Sequence, residues 1–241
     1  MRIAIVSDIH GNMEAFQAVV VDIGASKIDA IISLGDNIGY GPESEEVAKL
    51  IREYNIPSVM GNHELGLVDR IYLENFNPIA RTSLLKTGSQ LSNASIDYNC
   101  TLKPFLVMYG MRFVHGFPPD SVITYQFMVS EEGILKAFQQ FDEKISFTGH
   151  SHYLELIDFD GKNVTRRTLN REIVDLDRQH RHIINIGSVG QPRDGDKHAK
   201  YAIMDTDAYT IEIKFVKYDI MKTVVKILKA GFPKSNARRL M

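Results

Sequence analysis

An α/β fold with parallel strands is predicted by two features of the chain. Short apolar runs recur and stop at a polar residue or a glycine, and amphipathic helical patterns stand between the first three of them. Strand–helix–strand alternation implies right-handed crossovers and a parallel sheet. With 241 residues, 44% hydrophobic and 24% charged, the chain can bury a sizeable core. It has no internal repeat, low-complexity tract or linker, so one domain over 1–241 is expected.

Taken in order, RIAIVSD (2–8) reads as a strand from its β-branched content and length. NMEAFQAVVVDIG follows as a helix with Met13, Phe16, Val19, Val20 and Ile23 on one face. DAIISLGD (29–36) is the second strand. PESEEVAKLIREY is the second helix, with an acidic first turn and the stripe Val47, Leu50, Ile51, Tyr54. PSVMGN (57–62) is expected as a third strand. Residues 65–100 break the alternation and read as a helical insert. Within it, Asn77-Pro78 supplies the N-cap and first position of a helix through Ala80 and Leu84. MRFVHG (111–116) and KISFTGH (144–150) are further strands. The helix between them, SEEGILKAFQQF, is capped by Ser130 with Ile134, Leu135, Phe138 and Phe141 inward. LELIDFDGKNVTRRTL folds back at Asp160-Gly161. HIINIGS (182–188) is the sixth run, and YAIMD and TIEIKFV pair after it. The tail, 221–241, is a helix interrupted at Gly231 and Pro233.

Composition excludes several functions. A net charge of -2 gives no global attraction to nucleic acid or to an anionic membrane. Cys100 is the sole cysteine, which excludes disulfides within the chain and thiolate zinc sites. No stretch approaches the ~20 apolar residues of a membrane span. MRIAIVSD is too short for a signal segment, so a cytoplasmic location is expected.

What stands at the ends of these runs carries the chemistry. Asp8 and His10 follow the first, Asp36 the second, Asn62 and His63 the third. His115 follows the fourth, and His150 and His152 the fifth. In α/β architecture the carboxyl ends of parallel strands share one edge, where ligands bind. Nitrogen and oxygen donors without thiolate suit Mn, Fe, Zn, Co or Ni rather than Mg. With His63 set aside, the seven other donors are too many for one ion and fit two, which a central aspartate bridges; such pairs activate hydroxide and clamp phosphate. His180, His182 and His198 read instead as surface or satisfied core residues.

Asp8-Ile9-His10, Gly35-Asp36, Gly61-Asn62-His63-Glu64, His115-Gly116 and Gly149-His150-Ser151-His152 resemble, in order, the motifs of calcineurin-like metallophosphoesterases. GDNIGYGP and NIGSVGQPRDGD look like the small bacterial and archaeal phosphodiesterase branch. The resemblance implies a four-layer α/β/β/α sandwich with two mixed β-sheets face to face. It implies that Asp8, His10 and His152 hold one ion, that Asn62, His115 and His150 hold the other, and that Asp36 bridges both. His63 would protonate the leaving oxygen, with a merely orienting role as the alternative.

Two departures from the protein-phosphatase pattern matter. Gly39 and Tyr40 stand where that group has an Asp and an Arg, and Met60 stands where it has an Arg before GNH. This argues against a protein phosphatase and leaves His63 without an assigned orienting partner. Arg193 is the candidate phosphate grip and Tyr40 a further substrate-binding candidate. The expected reaction is hydrolysis of small phosphodiesters or nucleotide polyphosphates, such as dinucleoside polyphosphates or cyclic nucleotides. Phe76 or Tyr72 of the insert would stack a base, unless both are core. Two other readings are a catalytically inactive scaffold of the same fold and a nuclease. The full donor set opposes the first. For the second the one favourable feature is the basic tail, whose Lys222, Lys226 and Lys229 also fit an amphipathic helix packed on the domain.

Overall fold

The computed structural model describes residues 1–241 and contains two mixed β-sheets and nine α-helices. One sheet is five-stranded. At its parallel edge β1 (Arg2–Val6) pairs with β2 (Ala30–Ser33), and α1 (Met13–Gly24) forms the crossover between them. Beyond β1 the pairing turns antiparallel through β10 (Ala199–Asp205), β11 (Thr210–Val216) and β8 (Ile173–Asp175), giving the order β2-β1-β10-β11-β8. The second sheet runs β3 (Phe105–Met108), β4 (Met111–Val114), β5 (Ile145–Thr148), β9 (Arg181–Ile186), β6 (Leu154–Phe159), β7 (Val164–Thr168). Only β4, β5 and β9 are parallel in it.

Side-chain alternation builds the four layers. Ile3 and Ile5 of β1 and Ala202 and Met204 of β10 point toward Phe113, Phe147, Leu156 and Ile184 of the other sheet, forming the core between sheets. Their neighbours Ala4, Val6, Tyr201 and Ile203 point the opposite way. They bury Phe16 and Val19 of α1 and Val47 and Ile51 of α2 (Ser44–Glu53). On the far face Ile157 and Ile183 cover Ile134 and Phe138 of α7 (Glu131–Phe138).

The caps follow the sequence. Asn12, Asn77, Ser130 and Asp219 each accept a backbone N–H at the start of a helix, and Pro78 occupies the first turn of α5 (Pro78–Gly88). The tail forms α8 (Ile220–Lys229) and α9 (Lys234–Leu240), broken at Gly231 as expected. Lys222 and Lys226 of α8 pair with Glu14, and Lys226 also with Glu43, so two of the three stripe lysines are engaged by α1 and the loop before α2, while Lys229 is exposed. Val224 and Ile227 form the buried face of α8, whereas Leu228 is exposed.

One expectation needs correction. PSVMGN forms only isolated bridges, Ser33 to Ser58 and Val59 to Lys103, instead of a third strand. Pro57 has no N–H to donate, and Gly61 already begins α3 (Asn62–Val68). The two mixed sheets are those the resemblance implies: the parallel pairing read from the strand–helix alternation holds for β1–β2 and β4–β5–β9, and β3, β6, β7, β8, β10 and β11 all pair antiparallel. The insert holds α3, α4 (Arg70–Glu74), α5 and α6 (Asn93–Thr101). Leu84 and Leu91 from it pack on Ile38 and Ala48.

Candidate metal centre

All eight predicted donor and acid residues meet in one place, between the two sheets. Asp8 and His10 lie just past β1, and Asp36 lies past β2. Asn62 and His63 begin α3, His115 ends β4, and His150 and His152 follow β5. Six site residues (Asp8, His10, Asp36, Tyr40, His150 and His152) have positive φ without being glycine. Such backbone costs on the order of 1–3 kcal/mol each and persists only where surrounding structure imposes it.

The carboxylates are aimed by their second oxygens. Asp8 Oδ2 accepts the Ser7 hydroxyl at 2.6 Å and the His150 N–H at 3.0 Å. Its Oδ1 has no hydrogen-bond partner and lies 3.1 Å from His152 Nε2 and 3.7 Å from His10 Nε2. Asp36 Oδ1 accepts the His63 N–H at 2.8 Å. This leaves Oδ2 between His10 Nε2 at 3.6 Å and His115 Nε2 at 3.4 Å.

The imidazoles are locked from behind. His10 Nδ1 donates to the Ile38 carbonyl at 3.0 Å, His115 Nδ1 to Leu34 at 2.7 Å, His152 Nδ1 to Gln191, and His150 Nε2 to Ile123 at 3.0 Å. A carbonyl can only accept, so each opposite nitrogen faces inward, the arrangement seen around metal-bound histidines. The inward nitrogens of His10 and His152 are 3.3 Å apart, and those of His115 and His150 are 3.2 Å apart. Asn62 Oδ1 is 3.2 Å from His115 Nε2. Lone pairs facing lone pairs, beside a buried orphan carboxylate oxygen, fit divalent cations. Burial holds His10, His150 and His152 below the ordinary imidazole range, with His150 at about 3. Burial is the largest influence on His115 too, but the Asp36 charge and hydrogen bond, with Asp8 and Glu64 behind them, together outweigh it and raise this imidazole to about 9, so without a cation a proton serves there.

Three donor trios converge: Asp8–His10–His152, Asp36–His115–His150, and His10–Asp36–His63. The first holds the residues of one expected set; the second holds His115 and His150 of the other together with Asp36, the expected bridge. The third places His63 within reach of the same point, its ring 4.7 Å from His10. Burial drives the His63 pKa down to about 4. Its Nδ1 has no partner, and a Cβ at Gly39 would collide with it. The missing orienting carboxylate is therefore not supplied from elsewhere; the ring is held by packing. Tyr40 lies 4.6 Å away and Phe76 meets it edge-on at 5.3 Å. Tyr72 packs on Phe76 in turn, so the insert closes one wall of the site. Arg193 donates to Gln191 Oε1 at 3.1 Å, and its buried Nε has no partner.

The chain matches the model of the calcineurin-like phosphoesterase superfamily domain over residues 1–209. It belongs to the calcineurin-like phosphoesterase superfamily. This makes it a metal-dependent phosphoesterase, a hydrolase. It is 35% identical over 243 residues to an uncharacterized protein of Methanocaldococcus jannaschii, covering 99% of this chain and 96% of that one. The crystal structure of a metallophosphoesterase from Sphaerobacter thermophilus is 36% identical, covers 100% of this chain and 98% of its own, and superposes with a TM-score of 0.87. A local match reaches serine/threonine-protein phosphatase 2 of Escherichia coli, 44% identical over 64 residues, 26% of this chain and 29% of that one.

Sequence reasoning missed three supporting residues. Glu64 is fully buried and accepts N–H groups from Asp36 and Asn37 at 2.8 Å and Gly61 at 2.9 Å. Burial, and behind it the Asp36 charge, raises its carboxyl to about 7 against the pull of those donors. Asn185 donates to the Gly149 carbonyl and to Ser151 Oγ, which fixes the turn carrying His150 and His152. Ser151 Oγ also accepts the Tyr153 N–H at 3.3 Å and so completes that turn. Tyr125 stacks on His150 with ring centres 4.0 Å apart. Of the three, Glu64 and Asn185 lie in segments that carry the family resemblance but have no role assigned from sequence; Tyr125 becomes visible when the loop before α7 is placed. His180, His182 and His198 lie away from the centre, beside Asp158 or Asp196.

Proposed function

We propose that the chain hydrolyses small phosphodiesters or nucleotide polyphosphates at a centre of two divalent transition-metal ions. Mn, Fe, Zn, Co and Ni suit its nitrogen and oxygen donors. The observation that supports this reading is the pair of trios, Asp8–His10–His152 and Asp36–His115–His150, joined through Asp36. Asp8, His10 and His152 would hold one ion. Asn62, His115 and His150 would hold the other, with Asp36 between them. Bound there, two ions supply positive charge that polarises phosphate oxygens and lowers the pKa of water.

The chain's own residues do the rest. Backbone carbonyls keep four imidazoles turned inward, and the αL backbone presents Asp8 and Asp36 at close range. Water adds to phosphorus as the bond to the leaving oxygen breaks, and His63 gives that oxygen its proton. The free protein holds His63 neutral; a phosphate anion against the ring favours the imidazolium that donates. Arg193 and Tyr40, beside His63, would contact the substrate, and Phe76 or Tyr72 would meet an aromatic group.

The absence of guanidinium groups at Tyr40 and Met60 favours small substrates over phosphoproteins. The test is protein loaded with Mn and offered bis-p-nitrophenyl phosphate, dinucleoside polyphosphates and a phosphopeptide. Turnover of the first two, lowered at least 100-fold in Asp36→Asn, is expected; no turnover with a full metal complement would sink the reading.

A further inference from the structure

Gln191 occupies an unusual position. Its Oε1 accepts from Arg193 at 3.1 Å and also from Arg239 at 3.2 Å, so one neutral amide oxygen is shared by two cations. Neither guanidinium is within 4.0 Å of a carboxylate, although most of the chain's other arginines pair with one or bond backbone carbonyls. Each guanidinium carries five donors, and Arg193 Nε is buried with nothing to donate to. The Arg239 guanidinium lies 6.0 Å from the centre of the Tyr40 ring, and that ring lies 4.8 Å from His10 and 4.6 Å from His63. The two unpaired charges thus flank the proposed metal centre on the Tyr40 side.

The segment that brings Arg239 there is firmly fixed. Asn236 of α9 is buried and donates to the Tyr40 carbonyl and to Ser83 Oγ, both at 2.9 Å. Lys197 donates to the Arg239 carbonyl at 2.9 Å, tying α9 to the loop that carries Arg193. Two like charges held side by side without a counter-ion repel, and an anion between them would relieve that repulsion while using their free donors.

We infer that Arg193 and Arg239 form an anion subsite beside the metal centre that takes a second phosphate of the substrate. The inference rests on the proposed reading of the centre and narrows it to phosphoanhydrides, such as nucleoside and dinucleoside polyphosphates, over singly charged diesters. Binding at this subsite would use the positioned guanidinium pair, with the metals taking the phosphate under attack.

Metal-free protein titrated with inorganic tripolyphosphate by calorimetry at low salt tests the subsite without catalysis. Arg239→Ala is expected to weaken binding about 10-fold, the scale of one charge-assisted contact. Arg239→Lys should recover part of that loss, and Arg238→Ala, an exposed neighbour, should bind as wild type. Wild-type affinity in Arg239→Ala, or equal weakening in Arg238→Ala, would overturn the inference. With Mn-loaded enzyme, Arg239→Ala should lower the kcat/KM ratio of a dinucleoside polyphosphate over bis-p-nitrophenyl phosphate about 10-fold, mainly through KM. Equal losses on both substrates would also overturn it. Failure of wild-type enzyme on both substrates would fell the reading of the centre, while the titration would still decide the subsite.

Discussion

Asp36 shows how one residue can be specified by groups that sequence inspection passes over. Its Oδ1 is held by the His63 N–H and its backbone N–H by Glu64, which also grips Asn37 and Gly61. Glu64→Gln would turn an amide N–H₂ toward these donors. Metal affinity should fall roughly 10–100-fold, as when support behind a ligand is lost, and metal content after gel filtration checks this. At Gly149 an added Cβ would meet Ser7 Oγ and Asp8 Oδ2. Gly149→Ala should therefore displace Asp8 and empty the Asp8–His10–His152 set first. Elemental analysis finding the same stoichiometry as wild type would contradict that. The donors themselves were legible in the sequence, because each stands where an apolar run stops. Glu64 and Asn185 were not, since they serve backbone groups and the chain pattern does not say which turn a carboxylate or amide will reach.

Elements were legible wherever periodicity and capping agreed. Phe16, Val19 and Ile23 mark α1 and face β1 and β10; Ser130 caps α7. The hairpin of β3 and β4 was missed because its turn is Tyr109-Gly110, both at positive φ, instead of an Asn-Gly signal. Lys200 on β10 shows what tertiary structure adds. It is fully buried, and its ammonium donates to Asp194 Oδ1 at 2.9 Å and to the Asp196 carbonyl at 2.8 Å, bracing the loop after Arg193. Lys200→Met should leave Asp194 unpaired, destabilise the fold by about 3 kcal/mol and raise KM more than it lowers kcat; urea unfolding and steady-state kinetics read both. Tyr201, next along β10, donates to Asp22 of α1 at 2.6 Å. Burial and this bond raise its pKa above 10. A raised folded pKa means the contribution is complete below pH 10 and is lost as pH climbs past it. Tyr201→Phe should cost about 1 kcal/mol at pH 8, and the gap to wild type should close above pH 10 in unfolding titrations.

Across the whole molecule the candidate centre spans the seam between two sheets. Asp8, His10 and Asp36 extend from the β1–β2 edge, and His115, His150 and His152 from the β4–β5 edge. The apolar core that joins the sheets stops short of this edge, where buried carboxylates and imidazoles take its place. That division could not be read from the chain, since strands of both sheets share the same apolar pattern and only pairing partners distinguish them. It has a thermodynamic consequence. Ions bound at the seam would cross-link the sheets in the folded state and find no such set of donors in the unfolded one. A ligand at 100 times its dissociation constant adds about 2.7 kcal/mol, and in a chain of this size each kcal/mol moves Tm by roughly 2–4 °C. Chelation should therefore lower Tm by about 5–10 °C, and added Mn should restore it in a concentration-dependent way. His150→Ala and His152→Ala should each lose part of that shift through different ions, because one faces His115 and the other Asp8 and His10. A chelated protein that melts with the metal-loaded one would mean that the seam is held by packing alone.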